Sequence, residues 1–435
     1  VLIIASLGWV FDVFEGQVFV ASMREAMPAL LGRAADDPAV ANWNDWAFSS
    51  FLLGGALGGV LFGMLSDRVG RSRTMIVTIL CYSLFTCVTA LAQAPWQMVA
   101  LRFLVAMGVG GEWAVASSMV AEVMPQRSRP VMSSIFHGSS VFGTLLAAAT
   151  GAYVVGNPSL GAAAWRWGFA IGALPALLTV WVRWKLHEPQ QWLLARERAR
   201  SDDAQRTGRV FELFQRSYLR NTLVGVALSS IGLVTFWGAH IYGKNALLRH
   251  AQQAALVADG VTADAPPAQK AAAWTAHAAE IKRAEMLSMV LNTVGGGLGL
   301  VLFGTISNRL GRKGAFVLYH AVAFVMVLVL FQGLIAHGAR AFCLAVALPV
   351  FGFFTLGMHA GYAVYFPELY PTRLRGTGAG FCFNMGRVAT AAAFLYFGTA
   401  TISQEDKAIQ LAPLYLVGVV VVLFAQETRD QELPD

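Results

Sequence analysis

Charge is what this sequence has least of. Asp, Glu, Lys and Arg make up 13% of its 435 residues, while 56% are hydrophobic; soluble domains carry roughly one charged residue in four. Uncharged runs of membrane-crossing length follow one another, which excludes the two or three soluble domains that this length could otherwise hold. Cysteine is scarce as well. Cys81, Cys87, Cys343 and Cys382 all stand inside apolar runs without metal-ligand spacing, so they read as small core residues and exclude a disulfide framework or a metal site. The sequence has no nucleophile–base pair, nucleotide-binding loop or metal cluster, and neither an enzyme nor a cofactor is expected. The net charge of +7 does not point to nucleic acid, because Lys and Arg collect in short loops, as membrane insertion requires. The chain opens at Val1 already inside an apolar run. A short polar segment ahead of it is therefore expected, and later spans carry the targeting without a cleavable signal peptide.

What the sequence does have is a repeated pattern. Apolar runs at 1–23, 46–66, 74–93, 96–123, 131–155, 165–185, 219–243, 285–307, 314–336, 340–366, 376–400 and 410–426 are each long enough to cross about 30 Å of hydrocarbon as a helix. Two motifs between them occur twice. The stretch Gly63–Arg73, with Asp67, Arg68, Gly70 and Arg71, returns about 240 residues later from Gly304, with Asn308, Arg309, Gly311 and Arg312. At nearly the same offset Glu122, Pro125, Arg127 and Arg129 return as Glu368, Pro371, Arg373 and Arg375. Two independent motifs at one offset mark a duplicated unit.

The expected fold is therefore an all-α membrane protein of twelve transmembrane helices in two pseudo-symmetric six-helix halves, 1–186 and 218–435. A charged linker, 187–217, joins them, and a long Ala-rich loop, 244–283, broken at Pro266 and Pro267, reads as a spacer rather than a cap. The even-numbered loops and the tail hold about twice as many Lys and Arg as the odd-numbered loops. They and both termini are expected in the cytoplasm.

A charged side chain at bilayer depth costs about 3 kcal/mol on insertion scales, so each needs a reason. Asp12 and Glu15 in helix 1 are three apart and share a helical face. Two carboxylates held close in low dielectric cannot both ionise cheaply, which suits a proton carrier; a static buried ion pair is the alternative. Arg102 and Glu112 stand in helix 4, and Glu112 either binds a proton or pairs with another helix. Arg387 follows Asn384 by three residues in helix 11, and helices 7 to 12 offer it no clearly intramembrane carboxylate. That absence favours an anion in a central cavity. Gln17, His137, Phe236, Trp237, His240, Asn292, His359 and Tyr362 are candidate cavity-lining residues, with interhelical packing as the alternative for each.

The Gly63–Arg73 stretch resembles the best-known signature of the major facilitator superfamily, and the resemblance runs from the first helix to the last. It implies two six-helix halves around a central cavity, with substrate carried by alternating access. Gly108, Gly110, Gly111, Glu112 and Trp113 resemble the sialate, lactate and related metabolite–proton symporters, whereas Glu188, Pro189, Trp192, Leu193 and the tail Glu427, Thr428, Arg429 resemble sugar porters. By likeness to proton-coupled sugar porters, Arg102 is implied as the partner of Asp12, in a pair that protonation opens. By likeness to organic-anion carriers, Arg387 is implied to hold substrate. The resemblance also implies an inner gate. In it Asp67, Arg68, Arg71, Glu122, Arg127 and Arg129, and in the second copy Arg309, Arg312, Glu368, Arg373 and Arg375, pair when the carrier opens outward and part when it opens inward. Asn308 departs from the signature, where the first copy has Asp67.

The expected protein is a monomeric secondary transporter of a cell inner membrane, moving a small organic anion together with protons, without cofactor, metal or nucleic acid. A proton-coupled sugar or polyol importer, an organic-ion or drug exporter and a non-transporting membrane sensor are the alternatives.

Overall fold

A computed structural model of the chain describes residues 1–434 except 34–36, 156, 162, 173, 203–204, 263 and 399–403. Among the described residues all regular structure is helical. Apolar segments of this length fold so because backbone in hydrocarbon must satisfy its own N–H and C=O groups, and a helix does that within one segment. We label the spans α1 (Leu2–Leu31), α2 (Pro38–Val69), α3 (Arg71–Thr89), α4 (Pro95–Val123) and α5 (Arg129–Val155). Next, α6 comes in two pieces, Ala164–Ile171 and Ala176–Lys185, and α7 runs through Arg216–Thr235, a π-helical turn at Phe236–His240, and Ile241–Gly243. The stretch Ala278–Leu328 breaks at Gly311 (φ 80°, ψ 167°). We call the part before that glycine α8 and the part after it, which continues to Ile335, α9. The last three are α10 (Ala341–Leu369), α11 (Arg375–Gly398) and α12 (Pro413–Leu423). Among the described residues nine stretches have the length and hydropathy to cross a membrane, α8 and α9 sharing one of them; α6 and α11 complete the twelve.

The helices overrun the expected spans at several ends. Capping residues set those ends, not hydropathy. In α1 the helix continues to Leu31 and closes on Gly32, left-handed at φ 62° and ψ 34°. In α2 it begins at Pro38, with the Asp37 side chain accepting from the Ala39 N–H at 2.8 Å.

Small residues bring the helices close. Gly54 and Gly58 of α2 lie against the Phe103 and Met107 carbonyls of α4, and Gly295 and Gly299 of α8 lie against the Pro349 and Phe353 carbonyls of α10. A Cβ at any of the four would enter the neighbouring backbone. The duplication is thus present in the packing as well as in the motifs. The first and second parts of the chain meet along two seams, α2 against α11 and α5 against α8.

The loop between α7 and α8 is not a bland spacer. It holds two helices, Ala246–Ala258 and Pro267–Ala276, broken where the two prolines predict. The first packs on α8 and α10 and buries Ala246, Leu247 and Ala255. Arg249 pairs with Glu405, and Trp274 Nε1 donates to the Gln252 carbonyl at 3.2 Å.

Candidate functional site

The spans enclose a central cavity of about 200 Å³. A cavity of about 150 Å³ accepts benzene, so this one has room for a small organic molecule. Its walls are largely apolar, with Trp9, Phe51, Phe236, Trp237 and Phe383 among them. Toward the end that carries the repeated motifs, Trp113 of α4 stacks on Phe383 of α11 with ring centroids 3.9 Å apart. Trp113 Nε1 also donates to His137 Nδ1 at 3.3 Å, and Trp9 Nε1 donates to the His137 carbonyl at 3.1 Å. These rings form a floor. Toward the opposite end, Phe48 of α2 meets Trp237 of α7 edge-on at 4.7 Å and Phe394 of α11 at 5.1 Å.

Among the described residues three of charged type line the cavity: Asp12, Lys244 and Arg387. Among the described residues neither carboxylate oxygen of Asp12 has a partner within hydrogen-bond distance, and the Tyr82 hydroxyl stands near it. The implied Asp12–Arg102 pair is not formed. Instead Arg102 Nη1 donates to Glu15 at 2.5 Å and Nη2 to Thr89 Oγ1 at 2.9 Å, with the guanidinium 5.1 and 5.0 Å from the ring centroids of Phe19 and Phe169. The reason is helical pitch. Three residues turn a helix by about 60° short of a full revolution and advance it about 4.5 Å. That step points Glu15 at α3 and α4, level with Arg102, and leaves Asp12 on the cavity side.

Glu112 does not reach the cavity either. It is fully buried, accepts from Thr78 Oγ1 at 2.6 Å and occupies the space beside Gly8, where a Cβ would stand 2.6 Å from its Oε1. A pattern emerges on α3 that the sequence analysis missed. Thr78, Tyr82 and Thr86, four residues apart, set one hydroxyl beside each carboxylate: Thr78 at Glu112, Tyr82 near Asp12, and Thr86 at Glu15, 2.9 Å away. The spacing was the available signal, since residues four apart share a helical face.

Arg387 lines the cavity. It forms no ion pair among the described residues, and its Nη1 has no hydrogen-bond partner. Gly55 of α2 makes its room, because a Cβ there would collide with Nη1. Asp12 and Arg387 interact electrostatically across the cavity. Asn384, by contrast, does not share the cavity. Its Nδ2 donates to the carbonyls of Gly380 at 2.9 Å and Gly110 at 3.3 Å, drawn in where Gly59 leaves space, and it fastens α11 to α2 and α4. Tyr362 is also a packing residue: fully buried, it donates to the Leu228 carbonyl at 3.0 Å.

The other candidates do line the cavity: Gln17, His137, Phe236, Trp237, His240, Asn292 and His359. His240 and Asn292 are partly committed to each other at 3.2 Å, and His240 Nδ1 lies 2.7 Å from Thr355 Oγ1. His359 Nδ1 faces the Leu356 carbonyl at 3.0 Å, and its Nε2 has no partner. Lys244 gives no signal in the sequence, because it stands at the end of an apolar run where a lysine is unremarkable.

At the motif end the two parts of the chain are tied together. Arg71 bonds Asp67 at 2.5 Å and holds Glu122 through two nitrogens, at 2.7 and 3.2 Å; Glu122 also accepts from Arg375 of α11 at 3.1 Å. Asp67 further accepts from the N–H groups of Gly376 and Thr377 at 3.0 and 2.8 Å and from Thr377 Oγ1 at 2.5 Å. A carboxylate on α2 thereby caps the N-terminus of α11. In the second copy Arg312 holds Glu368 with two bonds of 2.9 Å, but Asn308 contributes only an acceptor at 3.3 Å. Arg373 pairs with Glu212 of the linker. Arg68, Arg127, Arg129 and Arg309 form no ion pair among the described residues, contrary to the implied network. Arg68 and Arg129 donate to the Gly208 and Ala121 carbonyls instead, and Arg127 and Arg309 are exposed. Two acids seen in sequence only as points of resemblance have a definite place. Glu188 accepts from the N–H groups of Arg71, Ser72 and Arg73, and Glu427 from those of Arg312 and Lys313. Each caps the helix that follows Gly70 or Gly311.

The sequence pattern of the family described as Major Facilitator Superfamily matches residues 18–394. The chain is 28% identical to the inner membrane metabolite transport protein YgcS of Escherichia coli, over 87% of this chain and 82% of that protein. It is 27% identical to the cis,cis-muconate transport protein of Acinetobacter baylyi, over 87% and 84%. Among solved structures, the proton:xylose symporter XylE bound to 6-bromo-6-deoxy-D-glucose matches with a TM-score of 0.70 and 18% identity, over 99% of this chain and 96% of that one. That last likeness is one of fold.

Proposed function

This chain belongs to the major facilitator superfamily, and from that premise we propose that it is a proton-coupled symporter of a small organic carboxylate, working by alternating access. In this reading residues 1–186 and 218–435 are the two rocking six-helix units, joined by 187–217. The motif end and both termini face the cytoplasm across the inner membrane, which the excess of Lys and Arg in the even-numbered loops supports.

One observation carries the proposal: an unpaired arginine and an unpartnered carboxylate share one cavity, Arg387 from α11 and Asp12 from α1. While Asp12 is charged, it is the counter-ion of Arg387. A proton on Asp12 releases Arg387 to a substrate carboxylate, and a bound carboxylate favours that proton in return. Each ligand raises the affinity for the other, which is the requirement for symport. Glu15 and Glu112, set along the α3 hydroxyls, assist as further proton-holding groups. A relative named for the transport of cis,cis-muconate, a dicarboxylate, supports an acidic cargo. A neutral sugar is less well served, since it would leave Arg387 without a partner anion in the cavity once Asp12 is protonated.

The test is uptake of a labelled carboxylate panel by proteoliposomes, with and without an inward proton gradient, for wild type and Arg387→Gln. The expected result is gradient-driven uptake of at least one acid by wild type, lowered by about tenfold or more in the variant, the loss expected for one charge-assisted contact. Uptake of a hexose with no acid transported would overturn it.

A further inference from the structure

The cavity holds a second cation that the coupling scheme does not use. Lys244, at the end of α7, lines the same cavity as Arg387 and Asp12. Its backbone is held in place: the Lys244 N–H donates to the His240 carbonyl at 3.0 Å, and the Lys244 carbonyl accepts from Ser288 Oγ of α8 at 2.6 Å. Its side chain is not held. Lys244 makes no ion pair among the described residues. Glu285, the acid that interacts with it electrostatically, bonds Lys282 at 2.8 Å.

The charges of the cavity can be counted. Among the described residues that line the cavity, Arg387 and Lys244 contribute two positive charges and Asp12 one negative charge, and protonating Asp12 leaves no charged carboxylate in the lining of a mostly apolar chamber. A monocarboxylate would neutralise one of them. A dicarboxylate would neutralise both, and buried or half-buried charge is tolerated only where it is compensated.

We propose that Lys244 is a specificity-determining residue that binds a second carboxylate, so that the preferred cargo is a small dicarboxylate spanning Arg387 and Lys244. This inference rests on the carboxylate-symport reading of the same cavity. Arg387 then provides affinity for any acid, and Lys244 selects among acids by their second charge.

The experiment compares probes that differ by one carboxylate. Benzoate is paired with terephthalate, and crotonate with fumarate, in uptake and competition assays on proteoliposomes of wild type, Lys244→Gln and Lys244→Arg. Wild type should prefer the diacid of at least one pair by about tenfold or more, the size of one charge-assisted contact. Lys244→Gln should lower diacid uptake by about tenfold more than monoacid uptake, which erases that preference, and Lys244→Arg should keep it. A check that needs no variant is competition by monomethyl terephthalate, which keeps the size and loses one charge; it should compete no better than benzoate. A preference unchanged in Lys244→Gln, an equal loss for monoacid and diacid, or a half-ester as potent as the diacid would each overturn the role of Lys244 while leaving the symport reading intact. Failure of wild type to transport any of the four acids would instead remove the carboxylate reading, and this inference with it.

Discussion

In the proposed scheme Asp12 and Arg387 divide the work of the site between the two parts of the chain, and single substitutions separate their roles. Asp12→Asn fixes a neutral side chain in place of the switchable one. It is expected to abolish uphill accumulation and to leave substrate counterflow in place, which exchange assays on the same vesicles would measure; loss of both together would make Asp12 a structural residue. Gly55→Ala probes the other partner without replacing it. The added methyl would collide with Arg387 Nη1, and overpacking of this kind costs about 1–3 kcal/mol. Binding of a transported acid to the purified variant should weaken by about tenfold, with a monodisperse elution profile retained. Which residues carry charge was legible in the sequence, because each stands out against an apolar run. Their partners were not. A 60° difference around α1 decides that Glu15 takes Arg102 and Asp12 does not, and the same step separates Arg387 from Asn384 on α11. Rotation about a helix axis is set by packing, which hydropathy does not encode.

At the scale of elements, the helices were legible and their ends were not. The ends depend on local caps such as Asp37 and Gly32, and on Glu188 and Glu427, which reach their helices from more than a hundred residues away. The helical pair between α7 and α8 shows the same limit: its proline break was readable, its packing was not. That pair is closed by His277, whose hydrogen bond with Asp259, aided by the charges of Asp259 and Glu280, holds it above its ordinary value of 6.5. A histidine raised in the folded state stabilises fully below its unfolded pKa, and the effect is lost as pH rises through the folded pKa. Exposed pairs contribute little, so the effect is local. Amide protection in 246–276, corrected for intrinsic exchange, should therefore fall as pH is raised from below 6.5, and His277→Asn should remove that dependence. Protection that is flat with pH in wild type would show that the contact does not hold the pair together.

For the molecule as a whole, the duplication was legible from two motifs at one offset, and the glycine packing of α2 on α4 and α8 on α10 repeats it. The asymmetry between the copies was visible as Asn308, but its consequence was not. Asp67 caps a helix from the other part of the chain and is joined there by the Glu122–Arg375 pair, so the α2–α11 seam carries the ionic closure of the motif end. Asp67→Asn should weaken that closure by about 1.5–3 kcal/mol, the range for hydrogen bonds to a charged group. Spin labels at the exposed positions Arg127 and Arg309 should then show a long-distance population about tenfold or more above wild type; an unchanged distance distribution would mean that Asp67 does not bias the closed state.

Alternating access, the Arg387 anion site and the Asp12 proton site all meet in one claim, that anion and proton cross together. The most direct measurement is proton movement itself. Unlabelled acid is added to proteoliposomes loaded with a pH-sensitive dye, with no pre-set gradient and the membrane potential clamped. Internal acidification is expected to start on addition of a transported acid, to scale with its uptake, to be absent with a non-transported acid and to vanish in Asp12→Asn. Uptake of the acid by wild type without any accompanying proton signal would contradict that claim.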